Sequence, residues 1–141
     1  MQVWRPYKVK DISALEKVQK RFTKMIKECK GLKYESRLKL LGLTTYETRC
    51  LRGDLLQYFK TIKGFDKSNC INLFELNKRS TRGHTCKIKK RYCRSNLSKY
   101  SYRNRSIDIW NKLPIEIIES STINEFKGGL DRHLRSMRGL V

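Results

Sequence analysis

"TTYETRCLRGDLLQYFKTIKG", residues 44–64, is the stretch on which the reading of the fold turns. Tyr46, Cys50, Leu51, Leu55, Tyr58, Phe59 and Ile62 recur three and four positions apart, which places them on one stripe of an α-helix. Thr44 with Glu47 has the form of a capping box, in which a hydroxyl accepts from a backbone N–H three residues on and the carboxylate accepts from the cap's own N–H. Gly64 supplies the left-handed residue that ends such a helix.

Working outward toward the N-terminus, residues 34–41 read as a short helix closed by Gly42 in the C′ position. Before it, over residues 11–27, Ile12, Leu15, Val18, Phe22, Met25 and Ile26 recur at helical spacing, and Ser13 with Glu16 offers another capping box. The apolar side is expected to face the core. At about 100° per residue, Lys17, Lys20, Arg21, Lys24 and Lys27 fall on the opposite face. A merely solvated helix face usually intersperses Glu at i,i+4. Here only Glu16 is available, at the edge, so this basic stripe is a candidate polyanion-binding face.

Toward the C-terminus, residues 66–70 read as a surface connection and residues 71–76 as a short apolar patch docking back on the bundle. Helical periodicity ends at Asn77. "STRGH" at residues 80–84 is a turn signal, after which His84, Cys86 and Ile88 alternate with Thr85, Lys87 and Lys89 as in a strand or hairpin. Helical spacing resumes over residues 102–112 with Ile107, Trp110 and Leu113 inward, and Pro114 ends it. Thr122 and Glu125 form a further capping box, and Ile123, Phe126, Leu130 and Leu134 line a last helix weakened by Gly128 and Gly129. The expected fold is mainly α: a small helical bundle over residues 1–76, then a basic extended or hairpin arm and C-terminal helices over 77–141 packed on it.

Charge narrows the partners. The 141 residues carry 33 Lys and Arg against 13 Asp and Glu, a net charge of +20. Residues 76–107 contain eleven of those cations and no acid, among them Arg82, Lys87, Lys89, Lys90, Arg91, Arg94, Arg103 and Arg105. Self-repulsion on this scale makes a polyanion the natural partner, with nucleic acid first. No apolar run approaches the roughly 18–20 residues of a membrane span, and no apolar signal segment opens the chain, so no membrane partner is expected. Five cysteines at irregular spacing read as reduced thiols in a nuclear or cytoplasmic protein.

Catalytic constellations are missing from the sequence. It has no phosphate-binding glycine loop, no G-x-S-x-G and no H-E-x-x-H, and nothing implies a cofactor or a small-molecule substrate. His84, Cys86 and Cys93 lack the paired spacing of a zinc knuckle, so no metal site is assigned. Asp54 and Asp108 are expected to pair with neighbouring Lys or Arg. Binding chemistry remains: Lys and Arg neutralise phosphates, while Tyr92, Tyr100 and Tyr102 are placed to stack on exposed bases or to fill a small core.

The order of the landmarks adds a family resemblance. "VWRPY", "DISALEKVQKRFTKMI", "YESRLKLLGLTTYETRCLRGDLLQYFKTIKG", "TRGHTCKIKK", "NRSIDIWNKLP" and "TINEFKGGLDRHL" follow one another over residues 3–134. This succession resembles the carboxy-terminal part of the polyprotein of non-LTR (LINE-type, jockey-like) retrotransposons. The resemblance implies a thumb and post-thumb piece of an RNA-directed DNA polymerase, whose parent carries an endonuclease upstream. The family's catalytic pair of adjacent aspartates has no counterpart here, so the implied fragment is non-catalytic. Its thumb helix would contact the template–primer duplex through Lys17, Lys20, Arg21, Lys24 and Lys27, and the arm would hold template RNA or target DNA. "NRSIDIWNKLP" and "RLKLLGL" are assigned to structure, with Trp110, Leu113, Leu38 and Leu41 as core anchors. Two other readings stay open: a domesticated protein-interaction module using an apolar patch around Phe65, Ile71, Leu73 and Phe74, and a small domain stapled by zinc through His84, Cys86 and Cys93.

Overall fold

The computed structural model describes residues 5–66, 74–77 and 83–137. It is mainly helical, as expected. The helices are α1 (Val9–Met25), α2 (Tyr34–Leu40), α3 (Tyr46–Ile62), α4 (Asn96–Lys99), α5 (Tyr102–Arg105), α6 (Ile107–Asn111), α7 (Ile115–Ile118) and α8 (Ile123–Met137), with a 3₁₀ turn at Lys27–Cys29 after α1. Val3, Ile71, Leu73, Lys78, Arg79 and Arg82 lie outside the described residues.

Helix α3 is the hub. Its Leu51, Leu55, Tyr58 and Phe59 share one core with Ile88, Ile107, Trp110, Leu113, Ile117, Ile118, Phe126, Leu130 and Leu134. The two parts of the chain therefore bury a common interior. Phe59 stacks on Phe126 with ring centroids 4.1 Å apart, and Tyr58 meets Trp110 edge-on at 5.9 Å. The Tyr58 hydroxyl donates to the Tyr102 carbonyl at 2.6 Å. Burial first, and the nearby Asp54 carboxylate second, push that phenol well above its usual pKa.

Both predicted glycine stops hold. Gly42 and Gly64 have φ of 62° and 74°. Leu43 N–H reaches back to the Leu38 carbonyl at 2.9 Å, and Phe65 N–H to the Lys60 carbonyl at 2.9 Å, each closing a Schellman turn. The capping boxes fare unevenly. At α8, Glu125 N–H donates to Thr122 Oγ1 at 3.2 Å, but the Glu125 carboxylate accepts from Ser121 N–H at 3.0 Å. At α3 the cap is Thr45, one residue later than expected, accepting from Thr48 N–H at 3.3 Å. At α1 the N-cap is Lys8 without a side-chain cap bond, and Ser13 lies inside the helix. Glu16 is used elsewhere: it accepts from the Tyr34 hydroxyl and, at 2.8 Å, from Tyr46 N–H.

That use of Glu16 reorients α1. The helix lies on α2 and α3 through Glu16, Gln19 and Thr23, with Ile12 and Leu15 half-buried. Gln19 Nε2 donates to the Thr44 carbonyl at 2.9 Å, and Arg37 reaches the Lys20 carbonyl at 3.2 Å. The apolar strip expected in the core is thereby turned outward, with Val18 51%, Phe22 64% and Met25 73% exposed. The single helix expected over residues 102–112 is also divided, into α5 and α6, at Ser106. Ser106 is buried and its hydroxyl donates to Asp54 Oδ2 at 3.1 Å, a tertiary bond that ends α5. Ile107, Trp110 and Leu113 point inward as expected.

Residues 83–95 carry no helix, and one isolated antiparallel bridge joins Leu76 to Ile88. The predicted alternation is visible in burial, since His84 and Ile88 are buried while Thr85 and Lys89 are exposed. The segment is held against α6. Trp110 Nε1 donates to the Cys86 carbonyl at 2.9 Å. The Asn111 amide both accepts from Ile88 N–H at 2.8 Å and donates to its carbonyl at 2.9 Å, taking the place of a neighbouring strand.

His84 Nε2 lies 3.1 Å from the Trp110 carbonyl, and a carbonyl only accepts, so Nε2 carries the proton. Nδ1 is buried with no hydrogen-bond partner among the described residues. Burial, reinforced by the Lys87 charge, lowers the pKa of this imidazole. The unfolded chain then binds the proton more readily than the folded one. The stability that neutral His84 contributes is full above an unfolded pKa of about 6.5 and is lost as pH falls below it. Urea midpoints at pH 7.5 and 5.5 are expected to differ in that direction, and His84→Gln to flatten the difference.

Candidate nucleic-acid interface

Helix α1 presents the clearest basic surface. Lys10, Lys17, Lys20, Arg21 and Lys24 are all exposed. At 100° and 1.5 Å per residue, Lys10, Lys17 and Lys24 line up along the helix about 10 Å apart, with Lys20 and Arg21 flanking the row. None of these five makes an ion pair among the described residues. Of the carboxylates on α1, Glu16 faces Tyr34 and Tyr46 instead, and Asp11, beside Lys10, is exposed and makes no ion pair among the described residues. Lys20 Nζ rests 5.0 Å over the Tyr34 ring, which holds it without neutralising it. Lys27, exposed in the 3₁₀ turn, continues the surface past the helix end.

The cations of residues 83–105 behave differently. The first acids outside the acid-free run close on it from both sides: Glu75 takes Lys89 at 2.9 Å and Arg91 at 3.1 Å, and Asp108 takes Lys90. These partners lower the Glu75 pKa, chiefly through the Lys89 hydrogen bond. All five side chains are 44–65% exposed, so solvent screens these pairs and a phosphate can displace the carboxylate. Arg94 and Arg103 are exposed, and Lys87 is half-buried with its ammonium beside Gly83.

Arg105 departs from the expectation. Its side chain is 7% exposed and grips Asp54 through two bonds of 2.8 and 2.6 Å, so it is an internal cation unsuited to phosphate contact. Asp54, itself 2% exposed, also accepts from Arg5 at 3.3 Å. One buried carboxylate thus ties together the chain before α1, the middle of α3 and the end of α5. The pairing of Asp54 and Asp108 with basic residues follows the sequence reading, but residue identity gave no sign that Asp54 would be buried.

The tyrosines divide. Tyr102 packs edge-on against Tyr58 at 5.3 Å, Tyr92 is 90% exposed, and Tyr100 stacks on Tyr7 with centroids 4.8 Å apart and planes 5° from parallel. Among the described residues no three His, Cys, Asp or Glu side chains gather as metal ligands. No described helix is long and apolar enough to cross a membrane. Of the alternative apolar patch, Phe65 is 46% exposed and Phe74 is half-buried against Tyr58 at 4.5 Å. No family model, no curated protein and no solved structure matches the chain.

Proposed function

We propose that this chain is a non-catalytic nucleic-acid-binding piece of a retrotransposon reverse transcriptase, which holds template–primer duplex or template RNA by its backbone without reading sequence. The observation that carries this reading is the α1 row: exposed cations that make no ion pair among the described residues, on one helix in a chain of net charge +20. Such a row contacts successive phosphates and gains affinity by releasing condensed counterions. A-form hybrid suits it, since its wide, shallow minor groove is recognised by shape and backbone contacts. Lys89, Lys90 and Arg91 form a second, partly neutralised set that becomes available when phosphates displace Glu75 and Asp108.

The experiment that tests the reading removes that competition. Glu75→Gln with Asp108→Asn is expected to tighten binding of a single-stranded RNA dodecamer about three- to tenfold at 0.1 M salt, measured by fluorescence anisotropy. Unchanged affinity, or no binding by either protein, would count against it. The exposed strip of Val18, Phe22 and Met25 favours a second reading, a protein-interaction module. Capture of a protein partner that persists at high salt and is lost on Phe22→Ser would support that reading instead.

A further inference from the structure

Between the chain entering α1 and the α4–α5 turn lies a cleft of about 550 Å³, inside the roughly 300–1,000 Å³ range of small-ligand sites. Its walls carry Tyr7, Tyr100 and Tyr102 among Lys8 and Arg103, and Asp11 is the one carboxylate in its lining. Tyr7 and Tyr100 are 43% and 38% exposed and lie face to face, so only the outer faces of their stack can take a further ring, at the surface and separate from the core around Tyr58 and Trp110. Lys99 Nζ lies 5.4 Å over the Tyr100 ring, so the outer face of Tyr7 is the end of the stack left for a base, with that positive charge close by.

The cleft is held in shape from behind. Arg5 on one wall and Arg105 on the other bind the same buried Asp54, so the two walls cannot part without breaking that ion cluster. Lys8, at its mouth, is also the N-cap of α1, so the basic row on that helix begins where the cleft opens. An exposed aromatic platform flanked by cations matches an unpaired nucleotide: the rings stack on a base face, which every base offers, and the cations meet its phosphate.

Resting on the nucleic-acid reading above, we infer that this cleft takes an unpaired nucleotide, with the base on the outer face of Tyr7, which Tyr100 backs, and the phosphate between Lys8 and Arg103, as the single-stranded continuation of a duplex lying along α1. The probes are an RNA dodecamer, a blunt RNA–DNA hybrid, and the same hybrid with a three-nucleotide overhang. Wild-type protein is expected to bind the overhang hybrid more tightly than the blunt one. Tyr7→Ala and Tyr100→Ala each weaken the single strand about 5- to 150-fold, abolish the preference for the overhang and leave the blunt hybrid unchanged. Tyr7→Trp retains the preference. Photocrosslinking of wild-type protein to a 4-thiouridine-containing dodecamer is expected to label a peptide carrying Tyr7 or Tyr100, a readout independent of how the alanine variants fold. Equal losses on all three probes, no loss at all, or crosslinks confined to other peptides would overturn the cleft assignment while leaving the α1 reading in place. Failure of wild-type protein to bind any probe would overturn both.

Discussion

Reversing Lys17, Lys20, Arg21 and Lys24 to Glu is expected to weaken binding to an RNA–DNA hybrid by more than about 100-fold near 0.1 M salt, uniformly across sequences. Each phosphate that is no longer neutralised removes about 0.9 from the salt slope on a B-form duplex, so four of them change it by about 3.6. The fold is expected to survive, because all four side chains are exposed and only Lys20 touches a neighbouring helix, at the Tyr34 ring of α2. Inside the protein, the substitutions take away the seat of the Lys20 ammonium over the Tyr34 ring, worth about 0.5–1 kcal/mol at an exposed site. Thermal unfolding of the variant should therefore stay close to that of the parent. A large loss of stability would mean that the row is structural. Affinity that falls on some sequences and persists on others would mean that base edges are being read.

The second large effect concerns stability. Asp54→Ala is expected to cost about 3–5 kcal/mol, because it leaves the guanidinium of Arg105, 7% exposed, and that of Arg5, 14% exposed, without their shared counter-charge. For a domain of this size the whole stability is about 5–15 kcal/mol, so the change is a large fraction of it. The double variant Asp54→Leu with Arg105→Met should recover part of the loss, since an apolar pair of similar volume needs no compensation. If Asp54→Ala unfolds within about 0.5 kcal/mol of the parent, the cluster is not the anchor that the cleft argument requires.

Local patterns and tertiary arrangement were not equally readable in the chain. The helices α1, α2, α3 and α8 were legible because periodicity and C-terminal glycines are local properties, and Gly42 and Gly64 do what their sequence positions imply. The orientation of α1 was not. Its pattern shows an apolar strip but not which neighbours cover it, and the bonds of Glu16 and Gln19 to α2 and the start of α3 turn Val18, Phe22 and Met25 to the surface. The break at Ser106 and the docking of residues 84–89 depend on bonds to Asp54, Trp110 and Asn111 that span 23 to 52 positions, beyond any window of periodicity.

The candidate site divides along the same line. The row from Lys17 to Lys24 was legible because charge on a helix face is local, whereas Lys8 and Lys10 were missed because the capping-box reading started the helix too late. Burial of Arg105 and the meeting of Tyr7 with Tyr100 follow from long-range packing alone.

Salt dependence of wild-type binding to a blunt RNA–DNA hybrid tests the central claim most directly. With roughly six phosphates engaged, log K is expected to fall against log salt concentration with a slope near −5, and equally for hybrids of unrelated sequence. A slope near zero, or a slope that differs between sequences, would contradict backbone recognition by the α1 row.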